Sequence, residues 1–506
     1  MAKFFITTAI DYANGDPHMG HAFEKLGADC IARYRRLRGD DVWFLIGMDE
    51  HGQKVAQTAA ERGLTPQALT DEVAEAFQRT WAQLGISNDQ FIRTTAEFHK
   101  DGVRDLIERI FARNPDDFYE KAYRGLYCVG CESFKTEAEI VDGKCVLHPT
   151  RTLEMVEERN WFFRLSRYQN FLEELLEKHP DFARPEIRRN EILGLLRQGL
   201  EDVSASRSRF SWGVPFPRPT SDGEAQTTYV WFDALPNYWT AQRFPGSGAH
   251  WPAQLHVVGK DITRFHCVIW PAMLAAAGEP LPVSVWAHGF IYYGGDRFSK
   301  SSGVRLDLQE AIARHGPDAL RYFLLRDIGF ANDGNFTWER FDERYLSDLA
   351  DGLGNLASRS LAMIEKYRAG IVPAETATSL DETGRATVAA YTAAMDALDL
   401  RGAAEAAWGL VTSANQYIVH TAPWALAKQG KDTELDQALG ALARCLNRLA
   451  VLASPFMPGK AEELWRHLGQ DAPLSGAWRQ AEQPEAAGRN VKKPEGLFPK
   501  PSVANP

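Results

Sequence analysis

The chain opens on an apolar, β-branched run from Lys3 to Ile10 (KFFITTAI), the pattern of a strand buried on both faces. Turn residues follow at Asn14-Gly15-Asp16-Pro17. From Met19 the apolar positions take a helical period, Phe23, Leu26, Cys30, Ile31, Tyr34 and Leu37, which Gly39 ends. Residues 42–52 (VWFLIGMDEHG) read as a second buried strand with a polar end. Strand, helix and strand predict a βαβ unit in a parallel sheet.

Residues 54–115 predict amphipathic helices, and 118–150 short segments, turns and a Cys/His cluster. Residues 160–200 (WFFRLSRYQNFLEELLEK and beyond) predict helix again, before a Pro-, Ser- and Arg-rich connector at 204–222. The α/β pattern resumes in TTYVWFDAL (227–235), LHVVGKDITRFH (255–266) and PVSVWAHGFIYYGG (282–295). Past about residue 340, Ala- and Leu-rich helical periods predict a bundle, and the end of the chain a wrapped or loose tail. The fold class is therefore α/β: a Rossmann-type parallel-sheet domain in two halves (1–115 and 226–345), split by an insertion (116–225) and followed by an α-helical bundle (346–470) and a tail (471–506).

Composition changes this picture little. The chain has 506 residues, 44% hydrophobic and 25% charged, ordinary values for a soluble protein of several domains. A net charge of −10 argues against a surface coated for nucleic acid, but leaves room for a local basic groove. The N-terminal apolar run is too short for a signal peptide, and no run reaches the ~18 residues of a membrane span. The expectation is a cytoplasmic enzyme.

Six cysteines divide into two kinds. Cys30, Cys267 and Cys445 sit singly in apolar sequence, as buried thiols do. Cys128-x-x-Cys131 and Cys145-x-x-His148 are knuckle spacings, with thirteen residues between the pairs. Four such ligands suit one tetrahedral Zn²⁺, and a closed shell makes the metal structural.

Two features face phosphate chemistry. In DPHMGH (16–21), His18 and His21 share a helix face, so a metal or a phosphate is open to them. They fall where the first strand hands over to its helix, and helix N-termini favour anions. Gly20 lets a ligand approach the backbone. Far downstream, RFSKSSG (297–303) is a small, hydroxyl-rich loop with two cations, suited to neutralising phosphate charge.

These residues together resemble the class I aminoacyl-tRNA synthetases, and within them the methionyl-tRNA synthetase family. PHMGH matches the family's HIGH motif and RFSKS its KMSKS motif. AIDYANGDPHMGHAFEKLGAD, GMDEHG, the Cys/His insertion, TYVWFDAL, VGKDITRFHCVIWPAML, AHGFIYYGG and NLASR extend the likeness over nearly the whole chain. Three positions depart from the pattern: Arg297 replaces a Lys, Phe298 a Met, and Asp11 stands where a proline is common.

The resemblance implies a ligase that forms methionyl-adenylate and pyrophosphate from methionine and ATP, with Mg²⁺, then charges the methionine-acceptor tRNA. It implies that His18, His21, Arg297 and Lys300 are catalytic. Gly20 would lie beneath the adenine, with Lys260 and Asp261 near the nucleotide. Asp49 would pair with the substrate ammonium. Ile10, Tyr12, Trp231, Ala234, Leu235, Tyr238 and His288 would enclose the thioether, a polarisable group that packs well on rings. Residues 346–470 would bind the anticodon through Asn355, Arg359 and Trp424, by stacking and base-edge contacts. The implied state is a monomer. Other class I synthetases, a small-molecule adenylyltransferase and a non-catalytic tRNA-binding protein are the competing readings. The compact insertion, the helical bundle and the intact His18, His21, Asp49 and Lys300 respectively speak against them.

Overall fold

The computed structural model describes residues 2–128, 133–135, 139–146, 148–208, 211–247, 250–293, 296–297, 306–374 and 376–500. Its centre is a seven-stranded sheet. In chain order the strands are β1 (Lys3–Thr8), β2 (Asp11–Tyr12), β3 (Asp41–Asp49), β4 (Gln90–Arg93), β5 (Ala183–Arg184), β6 (Leu255–Gly259) and β7 (Val285–His288). They lie in the order β5-β7-β6-β1-β3, with β2 and β4 both on β3, and every pairing is parallel. All carboxyl ends therefore point one way. β1 and β6 are central and buried, as their apolar runs require.

The helix after β2, α1 (Met19–Leu37), starts and stops where its period predicts. Small residues Ala22, Ala28 and Ala32 let neighbours approach on the face opposite the apolar stripe, so α1 is buried nearly all round. Its N-terminus opens on the sheet's carboxyl end. Its last turns touch the helical half and the tail: Tyr34 donates to Asp396 (3.1 Å), and Arg38 sits 4.9 Å from the Trp478 ring.

Two expectations need correction. Residues 54–115 are not helical throughout, because β4 interrupts them as an edge strand too short to show a period. Trp161–Phe163 are strand, not helix: Glu154–Phe163 pairs antiparallel with Phe118–Cys128 along its whole length, and the helix begins only at Gln169. Cross-strand packing overrides a run that local propensity leaves ambiguous. The strand β5 also falls within 116–225, yet belongs to the main sheet.

From Trp338 the chain is helical, through long helices at Asn355–Arg368, Ser379–Asp396, Leu400–Thr421 and Asp432–Ala453. The tail packs. Val491, Leu497 and Phe498 are buried, Ile371 bridges to Asn490, and Trp478 lies 5.8 Å from the Tyr34 ring on α1. No helix among the described residues is long and apolar enough to cross a membrane.

Candidate active site

The carboxyl ends of β1, β3, β6 and β7 surround a cleft of about 440 Å³. Parallel α/β sheets bind ligands at this edge, where helix N-termini also point. Ile10, Tyr12, His18, Gly20, His21, Asp49, Trp231, Asp261 and His288 are among the residues that line the cleft. Tyr12 and Asp49 are register partners on β2 and β3, so an aromatic ring and a carboxylate are set side by side.

His18 is the N-cap of α1. Its Nδ1 accepts from the backbone N–H of Gly20 (3.1 Å) and His21 (3.3 Å), and its own N–H donates to His21 Nδ1 (3.4 Å). The two rings stack with centroids 3.6 Å apart and planes 16° from parallel. A side chain on Gly20 would press on this ring, its Cβ falling 3.1 Å from His18 Cε1. Parallel rings that spend Nδ1 on the helix start do not converge on a metal.

Three lining residues, Asp11, Glu24 and His288, belong to a buried charge cluster with Lys25 behind them. Lys25 is wholly buried, and its three N–H bonds go to Ala9 O (2.9 Å), Asp11 Oδ1 (2.7 Å) and Glu24 Oε1 (2.8 Å). Glu24 Oε2 reaches His288 Nε2 (3.2 Å), and His288 Nδ1 lies 2.7 Å from Gly289 O. Asp11, the departure from the family pattern, thus supplies Lys25 with a counter-charge. Burial pushes the Asp11 carboxyl up to about 7 against the pull of Lys25. Glu24 goes down: burial opposes its charge, but Lys25 and His288 outweigh burial.

A second cluster ties the loop after β3 to the helix carrying Trp231. Asp233, fully buried, accepts from His51 Nδ1 (2.6 Å) and His99 Nε2 (2.9 Å). Burial alone would raise its carboxyl, but the two histidines hold it at about 2. Under the cleft, burial lowers His266 to about 4, so the ring is neutral near pH 7. Its Nδ1 faces Ile262 O (3.0 Å), so Nε2 accepts from the Tyr238 hydroxyl (2.8 Å). Trp231 stacks on Phe265 at 3.7 Å. GMDEHG and TYVWFDAL had drawn attention to their neighbourhoods, but nothing in the sequence paired His51 with Asp233 across 182 positions.

Other predicted residues are placed differently. Ala234, Leu235 and Tyr238 are buried and lie outside the lining. Lys260 also lies outside it, paired with Asp333 at 2.6 Å. Arg297 sits in a two-residue strand paired with Tyr292–Tyr293, and its side chain, like the whole of Lys300, falls outside the described residues. So do Cys131 and the side chain of His148. Cys128 and Cys145 are buried, and Cys145 pairs with His148 across a hairpin. Among the described residues no group of three metal-ligating side chains is present. Asn355 and Arg359 are half-buried on the first turns of their helix, and Trp424 is 46% exposed.

A family model for tRNA synthetases class I (M) matches residues 4–151 and 137–361, and one for the anticodon binding domain of methionyl tRNA ligase matches 369–504. The methionine–tRNA ligase of Thermotoga maritima is 43% identical over 92% of this chain and 75% of its own. The chain belongs to the methionine–tRNA ligases, a family of class I aminoacyl-tRNA synthetases. The Streptomyces coelicolor ligase is 40% identical over 98% of this chain and 96% of its own. Mycobacterium tuberculosis methionyl-tRNA synthetase in complex with methionyl-adenylate superposes with a TM-score of 0.93, at 38% identity, covering 99% of this chain and 100% of that one. As a methionine–tRNA ligase, the chain activates methionine with ATP and transfers it to tRNA.

Proposed function

We propose that the roles in this reaction divide along the cleft. Asp49 pairs with the methionine ammonium, and Ile10, Tyr12, Trp231 and His288 meet the thioether chain, with Ala234, Leu235 and Tyr238 packed behind them. His18 and His21, at the start of α1, hold the phosphates together with Arg297 and Lys300. Gly20 lies under the adenine and Asp261 near the nucleotide. Lys260 joins them by exchanging its Asp333 partner. The observation that carries this reading is one cleft lined both by the Tyr12–Asp49 register pair and by the start of α1.

A methionine carboxylate oxygen attacks the α-phosphorus, the bond to the bridging oxygen breaks, and pyrophosphate leaves. The terminal ribose hydroxyl of tRNA then attacks the acyl carbon and AMP departs. The protein's work is positioning and charge stabilisation. Mg²⁺ enters with ATP, held by its phosphates. Cys128, Cys131, Cys145 and His148 hold one structural Zn²⁺. Cys128, buried at the end of its strand, and Cys145, buried between the exposed Lys144 and Val146, fit a metal-centred core. Asn355, Arg359 and Trp424 meet the anticodon. The chain acts as a cytoplasmic monomer, and sedimentation as a dimer at micromolar concentration would contradict that.

The test is Asp49→Ala in ATP–pyrophosphate exchange. Loss of a charge-assisted bond raises the KM for methionine by about a hundredfold, with the KM for ATP little changed. An unchanged methionine KM overturns the assignment.

A further inference from the structure

We propose that Lys25 is a positioning residue for the amino-acid side of the cleft, acting through Glu24 on His288 and through Ala9 and Asp11 on the end of β1. This rests on the reading of His288 as a wall of the methionine pocket.

The geometry runs as a chain. Lys25 spends all three donors inside the protein, on Ala9 O, Asp11 Oδ1 and Glu24 Oε1. The Ala9 contact fixes the backbone just before Ile10. The Glu24 contact fixes a carboxylate whose other oxygen takes His288 Nε2 at 3.2 Å. With Nδ1 2.7 Å from Gly289 O, and Phe23 and Phe330 at 5.6 and 5.2 Å, the His288 ring is held on every side. Removing the Lys25 charge leaves Asp11 and Glu24 facing one another, both 6% exposed or less. Without its cation the Asp11 carboxyl keeps its proton, whereas Glu24 is left as a buried charge with only His288 beside it, and the Glu24–His288 bond is the one to shift.

Lys25 shares its helix with His18 and His21, which gives a control within the same element. A general disturbance of α1 would weaken ATP and methionine alike. A positioning role weakens methionine alone.

The experiment is methionine-dependent ATP–pyrophosphate exchange on the full chain, with the KM of each substrate measured for Lys25→Met, Glu24→Gln/Lys25→Met and His288→Asn. Lys25→Met is expected to raise the methionine KM about tenfold while the ATP KM stays within about twofold. The double variant removes the stranded Glu24 charge while keeping an oxygen for His288, and its methionine KM returns to within about threefold of the parent. A methionine KM unchanged in Lys25→Met, a parallel rise in both KM values, or a double variant no better than the single would each overturn the proposal. If Lys25→Met is too unstable to purify, the double variant alone decides, because a methionine KM still raised tenfold in a folded protein also overturns it. His288→Asn separates the two readings. If it leaves the methionine KM unchanged, the pocket assignment itself fails. If it raises that KM while Lys25→Met does not, only the present inference fails.

Discussion

Two buried ion clusters hang from α1 one turn apart, and they are built to opposite rules. Asp29 is saturated. Its Oδ1 accepts from the Ser87 backbone (2.7 Å) and hydroxyl (2.6 Å), and its Oδ2 from Arg33 (2.7 Å) and Arg321 (2.6 Å). Arg321, itself fully buried, gives its other bonds to Phe456 O (3.0 Å), Leu84 O (3.1 Å) and Pro455 O (3.0 Å). The Lys25 cluster has one cation for two carboxylates, and Asp11 Oδ2 is buried with no hydrogen-bond partner among the described residues. The saturated cluster joins the sheet domain to the helical half. The unsaturated one backs the cleft. A fold closes its ion pairs where it needs rigidity, and leaves charge out of balance where a ligand or a proton is to be felt.

The largest effect should come from breaking the saturated cluster. Arg321→Met takes one of the two cations from Asp29 and leaves three carbonyls without their donor, and costs about 3 kcal/mol of stability in urea unfolding. Adding Asp29→Leu should not restore it, because the carbonyls of Leu84, Pro455 and Phe456 still lack donors. A double variant as stable as the parent would show that the pair is an ordinary exchangeable ion pair.

Next in size is the acid limb. Burial alone would raise the Asp29 carboxyl, but Arg33, Arg321 and Ser87 hold it at about 2, below its ordinary 3.8. A carboxyl lowered by folding contributes stability that is present above its unfolded pKa and is lost as pH falls toward 2. The contribution is about 2 kcal/mol. Asp29→Asn should remove it, so variant and parent differ near neutrality and converge in strong acid. Curves that stay parallel down to about pH 2 would refute this.

The contrast also explains what the sequence could reveal. β1, α1 and β3 were legible because one period governs each for its whole length. The cleft was legible where chemistry is local: His18 caps the helix three residues from His21, and Asp49, inside GMDEHG, ends β3. Neither ion cluster was. Arg321 lies 292 positions from Asp29, and His288 lies 264 from Glu24. Nothing in the sequence marked Lys25, since apolar periodicity picks out one face of α1 and says nothing about small residues that bury the other. The Trp161–Phe163 strand was misread for the same reason, because its partner is forty residues away. Asp11 is instructive in another way. As a departure from a family pattern it looked incidental, and only the ammonium beside it gives it a purpose.

The smallest effect is the sharpest test of the comparison, because its sign is reversed. Burial raises the Asp11 carboxyl from 3.8 to about 7. A carboxyl raised by folding contributes fully below its unfolded pKa, and that contribution is lost as pH climbs through the folded value. Asparagine keeps an oxygen for Lys25 and cannot ionise. Near pH 3 the Asp11 carboxyl is protonated both folded and unfolded, so Asp11→Asn should match the parent to within about 0.5 kcal/mol. Near pH 8 the parent has placed a second negative charge beside Glu24, and the variant should unfold at the higher urea concentration. Asp29→Asn should be the less stable protein at both pH values. Two Asp→Asn changes flanking the same helix then move stability in opposite directions at about pH 8. If both destabilise there, the two clusters obey one rule and the contrast drawn between them is wrong.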